Sequence, residues 1–208
     1  VADLLGADVG PRLPAAATEG YEDVTRVVVF LVDGFGLAQW EGERARIPFL
    51  RRFERAGRVT PLTSIFPSET ASAMNTFHST ALPSEHGVVG WNVYDPAVDE
   101  MFEALPFRRM DGTEPERLDY EDVADAESIY PTLADAGIET HHVTPFPSSE
   151  TVPHRYDPAD PATFPAAFAA AAEAATDPSY LFAYLPQTDA VAHQEGVDSA
   201  AYRETAAG

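Results

Sequence analysis

The stretch RVVVFLVDGFG, Arg26 to Gly36, decides the fold. After Arg26 it is β-branched, aliphatic or aromatic as far as Val32, with no polar residue alternating. Such a run fits a strand covered on both faces, as in a parallel sheet. Asp33-Gly34-Phe35-Gly36 then closes it with turn chemistry.

Working outward, residues 1–25 mix Ala, Gly, Pro and acid and are expected to form an N-terminal arm. IPFLRRFERAG, 47–57, has Pro near its start, apolar residues at helical spacing and a closing Gly, so it predicts a helix. Val59 to Ile65 alternates weakly and predicts a second strand. Ser68 to Thr80 predicts a helix with Ser68 as N-cap and Ala71, Met74 and Phe77 as its apolar stripe. Residues 92–127 are polar and acidic with little periodicity, and are expected to be an insertion or cap near the site. Ile129 to Ala136 predicts a helix stopped by Gly137, and Ile138 to Val143 a strand. After a Pro-rich loop, Pro161 to Thr176 predicts an Ala-rich helix. Tyr180 to Leu185 predicts a strand ended by Pro186. Alternating strands and helices give an α/β domain over 26–208, with a mostly parallel central sheet and helices on both faces.

Composition bounds the chemistry. The 208 residues are enough for one domain with a sizeable core. Cysteine is absent, so disulfides and thiolate metal sites are excluded. Acidic residues number 34 against 13 basic, all of them Arg, for a net charge of −21. Such a surface repels nucleic acid and anionic lipid, so neither is an expected partner. Adaptation to a salt-rich cytoplasm is the expected source of this charge, because about 1 M salt shortens the Debye length to about 3 Å. An acidic partner surface is the alternative. No apolar run is long enough to span a bilayer, and no basic segment leads an apolar core at the N-terminus. A cytoplasmic location is therefore expected.

Ligands of parallel sheets bind beyond the carboxyl ends of strands. Asp33, Thr70 and Asp189 each follow a predicted strand. Asp33 can be a metal ligand or only an Asx turn. Thr70 sits at a helix N-terminus, where free N–H groups and the dipole suit phosphate. It is a nucleophile if a cation lowers its hydroxyl pKa, and otherwise only part of a cap. In TDAVAH, 188–193, Asp189 and His193 are four apart and share a helix face. A carboxylate with an imidazole suits zinc or manganese, although an ordinary surface pair has the same spacing.

Three blocks carry a resemblance: VVVFLVDGFG at 27–36, FPSETASAMNTFHSTALPSEHGVVGWNVYDP at 66–96, and YLPQTDAVAHQEG at 184–196. In this order they resemble the type I phosphodiesterase and nucleotide pyrophosphatase branch of the alkaline-phosphatase superfamily. The resemblance implies an alkaline-phosphatase-like fold and two divalent ions, usually zinc with manganese as the alternative, about 4 Å apart. It implies that Asp33 and Thr70 bind one ion, Thr70 being the nucleophile, and that Asp189 and His193 bind the other. The substrate would be a small phosphate ester. In nucleotide pyrophosphatases an Asn often follows the His-Gly-Val-Val-Gly stretch. Trp91 stands there and Asn92 comes next, so Asn92 or Trp91 is the expected substrate contact. The family supplies three further ligands, an Asp-His pair and a separate His, and none follows His193 before Gly208. The domain is therefore expected to be C-terminally incomplete, with metal incompletely bound and little activity.

The other histidines receive plain readings. His141 and His142 are neighbours on a strand and face opposite ways, which argues against a joint metal site. His78 is expected to be a packed core or surface residue and His86 a turn residue with a satisfied hydrogen bond. His154 could border the substrate pocket. The competing functions are a non-catalytic binding module on the same fold, and a phosphomonoesterase or phosphonate hydrolase. A sulfatase lacks its usual Cys, a phosphoglycerate mutase normally uses Ser, and no phosphate-binding glycine loop is present.

Overall fold

The computed structural model describes residues 2–21, 23–147, 152–158 and 160–208, without the side chains of Tyr120 and Glu121. The helices are α1 (Ala15–Thr18), α2 (Leu37–Glu43), α3 (Pro48–Ala56), α4 (Thr70–Ser79), α5 (Pro83–His86), α6 (Tyr130–Asp135), α7 (Phe164–Ala174), α8 (Gln187–Glu195) and α9 (Ala200–Ala207). The strands are β1 (Arg26–Val32), β2 (Asn92–Asp95), β3 (Glu100–Glu103), β4 (Arg108–Arg109), β5 (Glu139–Val143), β6 (His154–Tyr156) and β7 (Ser179–Leu185).

Four strands form one parallel sheet in the order β1-β7-β5-β6. β7 is central because every position but its last is buried. Its side chains alternate between two cores. Tyr180, Phe182 and Tyr184 join Ala71 and Met74 of α4 and Leu133 of α6. Leu181 and Ala183 join Val143, Phe164 and Ala171 on the α7 side. Helices therefore cover both faces, and the α/β expectation holds. The N-terminal arm is not detached, since Ala2 and Ala7 are buried in the first core.

Three expectations fail. β1 lies at a sheet edge, and its alternate residues Val28, Phe30 and Val32 are 39–51% exposed, so only the face of Val27, Val29 and Leu31 packs on the core, and that face is only partly buried. On the exposed face Phe30 meets Phe168 of α7, ring centroids 4.7 Å apart, and the Arg26 guanidinium donates to the Ala172 carbonyl at 3.0 Å. The predicted strand at 59–65 does not form, and Val59 and Leu62 are exposed with no strand beside them. Thr70 is therefore delivered by a loop, not by a strand. The helix that begins there is capped by Glu69 rather than Ser68, the Glu69 carboxylate accepting from Ser72 N–H at 3.1 Å.

Residues 92–127 are not featureless. They carry the antiparallel meander β2-β3-β4, closed by the Arg109 guanidinium against Glu100 through two bonds of 3.2 and 2.7 Å. The middle of the Pro-rich loop, 148–151, lies outside the described residues.

Candidate active site at the carboxyl edge of the sheet

β1 and β7 run in register from Arg26↔Ser179 to Val32↔Leu185. The ladder extends one residue further, as Asp33 N–H donates to Leu185 C=O at 3.0 Å. This fixes the Asp33 backbone at the strand end. Its two carboxylate oxygens then divide their duties. Oδ1 accepts from Gly34 N–H at 3.0 Å, which is the turn role. Oδ2 accepts from Thr70 Oγ1 at 3.1 Å and from the Tyr184 hydroxyl at 2.6 Å. The Thr188 hydroxyl donates to the Asp33 carbonyl. The turn role of Asp33 is thus met by Oδ1, while Oδ2 faces two hydroxyls.

Thr70 is the first residue of α4, where backbone N–H groups lack intrahelical acceptors. Asp189 and His193 lie one turn apart on α8, with Nε2 3.4 Å from Oδ2. The α8 backbone packs directly on the β1 turn. Gly34 has φ of +67°, and a Cβ there would meet Asp189 Cα at 2.7 Å. Glycine is required twice over, by the left-handed backbone and by the close approach. Tyr202 of α9 closes the same turn by donating to Gly34 C=O at 2.6 Å.

Burial raises the Asp189 pKa above its usual value; the charge of Asp33 raises it further, and His193 opposes the shift. Among the described residues no Arg pairs with either carboxylate. Burial first, and the bond to Asp33 second, push the Tyr184 hydroxyl well above the ordinary phenol range, so it stays a donor. Two carboxylates that disfavour each other, an imidazole and a hydroxyl are donor types that suit zinc or manganese.

A family model of type I phosphodiesterase / nucleotide pyrophosphatase matches residues 27–207. The chain belongs to this family. The match runs from the second residue of β1 through α9 and includes Asp33, Thr70, Asp189 and His193. The family indicates a hydrolase of the phosphodiesterase or pyrophosphatase type, and metal dependence is typical of it.

Asn92 and Trp91 lie on the meander. Asn92 is exposed and opposes Glu103. The Trp91 indole N–H donates to Glu103 at 2.8 Å, and its ring meets Phe146 edge-on at 6.1 Å. Phe146 in turn lies 5.5 Å from Tyr184, so Trp91 reaches Asp33 only through two intervening rings. A cavity of about 580 Å³ opens between α4, α6 and the end of β5, lined by Met74, His78, Tyr130, His142 and Phe146 among others.

Sequence reasoning missed Tyr184 and Thr188, which hold Asp33 by its carboxylate and its carbonyl. Both stand inside the block at 184–196, and their polar groups near a strand end were the available signal. His78 and His86 behave as expected: His86 Nε2 lies 3.0 Å from the Thr76 hydroxyl, and its Nδ1 accepts from Val88 N–H at 3.1 Å. His141 and His142 do face opposite ways, but His141 meets His154 and Glu139 instead. His154 lies against these two and does not line the cavity.

Proposed function

We propose that this chain carries the nucleophile and the first ligands of a two-metal phosphoric ester hydrolase. It would act on small phosphodiesters or pyrophosphates with Thr70 as the attacking group. The observation that carries this reading is the 3.1 Å bond from Thr70 Oγ1 to Asp33 Oδ2 at the start of α4. It aims the hydroxyl and places a carboxylate to draw its proton, beside a helix end suited to an anionic phosphoryl group.

Asp33 and Thr70 would hold one divalent ion, and Asp189 and His193 the other. Bound there, such ions would supply the charge that stabilises an alkoxide and the developing charge of the transition state. The chain's own residues do the rest. Tyr184 orients the carboxylate oxygen that faces Thr70. Thr70 Oγ1 forms the bond to phosphorus as the bond to the leaving oxygen breaks. His193, exposed one turn from Asp189 on α8, would orient the water that later hydrolyses the phosphothreonine. The cavity begins at Met74, one turn beyond Thr70, and its mixed apolar wall suits the organic part of the ester.

Each ion would have two ligands from this chain, one fewer than a catalytic zinc site normally takes from protein. Weak zinc binding and slow turnover are therefore expected. The test uses saturating zinc or manganese, high salt and an activated nitrophenyl phosphodiester. Slow nitrophenolate release should accompany a phosphoryl adduct on Thr70, visible by intact mass, and Thr70→Ala should abolish both. Release that persists in Thr70→Ala would sink the nucleophile assignment. Metal binding with no Thr70-dependent release would favour the non-catalytic binding module.

A further inference from the structure

A second constellation lies away from Thr70, on the α7 face of the sheet. Glu139 opens β5, and His141, two residues on, shares its face. His154 opens β6 directly opposite His141 in the parallel register. The two imidazoles stack with centroids 4.5 Å apart and planes 16° apart. Glu139 Oε1 is 2.8 Å from His154 Nε2 and 3.3 Å from His141 Nε2. One donor atom from each of the three lies within 4.8 Å of the others. No other group of three His, Cys, Asp or Glu among the described residues meets this measure.

His141 is the decisive member. It is fully buried, and neither ring nitrogen has a hydrogen-bond partner, although Glu139 Oε1 lies 3.3 Å from its Nε2. A buried, unpaired imidazole costs on the order of 1–3 kcal/mol and calls for an explanation. Glu139 is held for a ligand. Its Oε2 accepts from Thr176 N–H at 2.8 Å and from the Thr176 hydroxyl, leaving Oε1 for the histidines. Arg26 is committed to Asp177 and to the carbonyls of Ala172 and Ala175. His154 is 42% exposed, which gives an entry path and freedom for its ring to turn toward His141.

We propose that Glu139, His141 and His154 form a transition-metal site, with zinc the best match, separate from the Thr70 centre. A zinc ion takes His nitrogens and carboxylate oxygens at about 2.0–2.2 Å in a tetrahedron, which spaces donors by roughly 3.4 Å. The contacts of 2.8 and 3.3 Å already approach that spacing. Water would fill the fourth position. Thr176 would act as the outer partner that fixes the carboxylate. The site is not part of the phosphoryl-transfer centre: Glu139 pairs with Ser179 at the start of β7, whereas Asp33 follows Leu185 at its end. At about 3.3 Å per residue the two lie about 20 Å apart along the strand. The ion's work would be structural, clasping the three-residue edge strand β6 to β5 and to the end of α7.

Cobalt(II) binding to the whole chain tests this, read by visible absorption and by the melting temperature. Three proteins are compared: wild type, Asp189→Asn with His193→Ala, and His154→Ala. His154→Ala alters a half-exposed side chain and should fold. Absorption from a low-symmetry nitrogen–oxygen site, and a rise in melting temperature, should persist in the Asp189/His193 double variant. Both should be lost in His154→Ala, with affinity falling by more than the ten- to hundredfold typical of losing an outer partner. Equal binding in His154→Ala and wild type would overturn the proposal, and so would loss of the whole signal in the double variant. The double variant separates this outcome from failure of the Thr70 reading.

Discussion

Asp189 shows how burial and a neighbouring carboxylate act on one side chain. Its pKa is raised by burial first and then by Asp33, so the folded state prefers its protonated form. The stabilising contribution is present below the unfolded pKa, about 3.8, and is lost as pH rises through the higher folded value. At neutral pH and without metal, Asp189→Asn should therefore stabilise the chain, by on the order of 1 kcal/mol or less because the group is partly solvated. Below pH 3.8 the gain should vanish. Thermal melts with chelator at both pH values check this, and a loss of stability at neutral pH would contradict it. His78 works in the opposite sense. Burial pushes its pKa down to about 4, and its Nδ1 faces the Tyr130 hydroxyl. The unfolded chain binds the proton more readily, so stability falls as pH drops from 6.5 to about 4. His78→Gln should be less stable at pH 7.5 by about 2 kcal/mol. It should also have a flatter stability profile across that window than wild type, as measured by urea melts.

At the scale of elements, strands with a strong composition and helices with clear stops were legible. β5, β7, α3, α6 and α7 appear where periodicity, Pro and Gly put them. The failures share a cause, since each depended on a neighbour the chain's pattern does not encode. RVVVFLV has the composition of a strand covered on both faces, but β7 is its one strand neighbour and its outer face meets α7 at Phe168 and Ala172 and stays partly exposed. Val59 to Ile65 has strand-like residues and no strand to pair with. The meander at 92–109 is short and charged, with Arg–Glu pairs joining β4 to β3 and one apolar pair, Val93 opposite Phe102, joining β2 to β3. The candidate site was more legible than its frame, because Asp33, Thr70, Asp189 and His193 stand at element ends that carry their own signals. What the sequence could not show is that β1 and α8 touch. That contact makes a sharp prediction. Gly34→Ala would put a methyl 2.7 Å from Asp189 Cα in a left-handed backbone, so α8 must move. The cost should reach about 2–3 kcal/mol. By contrast Gly112, also at positive φ but facing open space, should cost about 1 kcal/mol when changed to Ala. Equal destabilisation of the two, by denaturant melts, would mean that the β1–α8 contact yields easily to an added methyl.

Across the whole molecule, charge outweighs every other feature of the surface. With 34 acidic residues against 13 arginines and no lysine, carboxylates outnumber their possible partners by more than two to one. Even where pairs form, they are mostly exposed, as in Arg12–Asp8 or Arg44–Glu54, and each contributes little. The unpaired remainder repels itself in the folded state more than in the expanded one. Salt weakens that repulsion steeply, since the Debye length falls from about 10 Å at 0.1 M to about 3 Å at 1 M. The same salt strengthens burial of the apolar face that β1 leaves half covered, when the anion is strongly excluded. Stability should therefore climb with potassium chloride from 0.1 M to beyond about 1 M, most of it below about 1 M where screening changes fastest. Potassium sulfate should add a further rise, because it acts on burial as well as screening. An acidic partner surface predicts otherwise: the isolated chain would be equally stable at low and high salt, with its charge reserved for a basic binder. Melting curves across both salt series decide between the two, and a melting temperature indifferent to potassium chloride would rule out adaptation to a salt-rich interior.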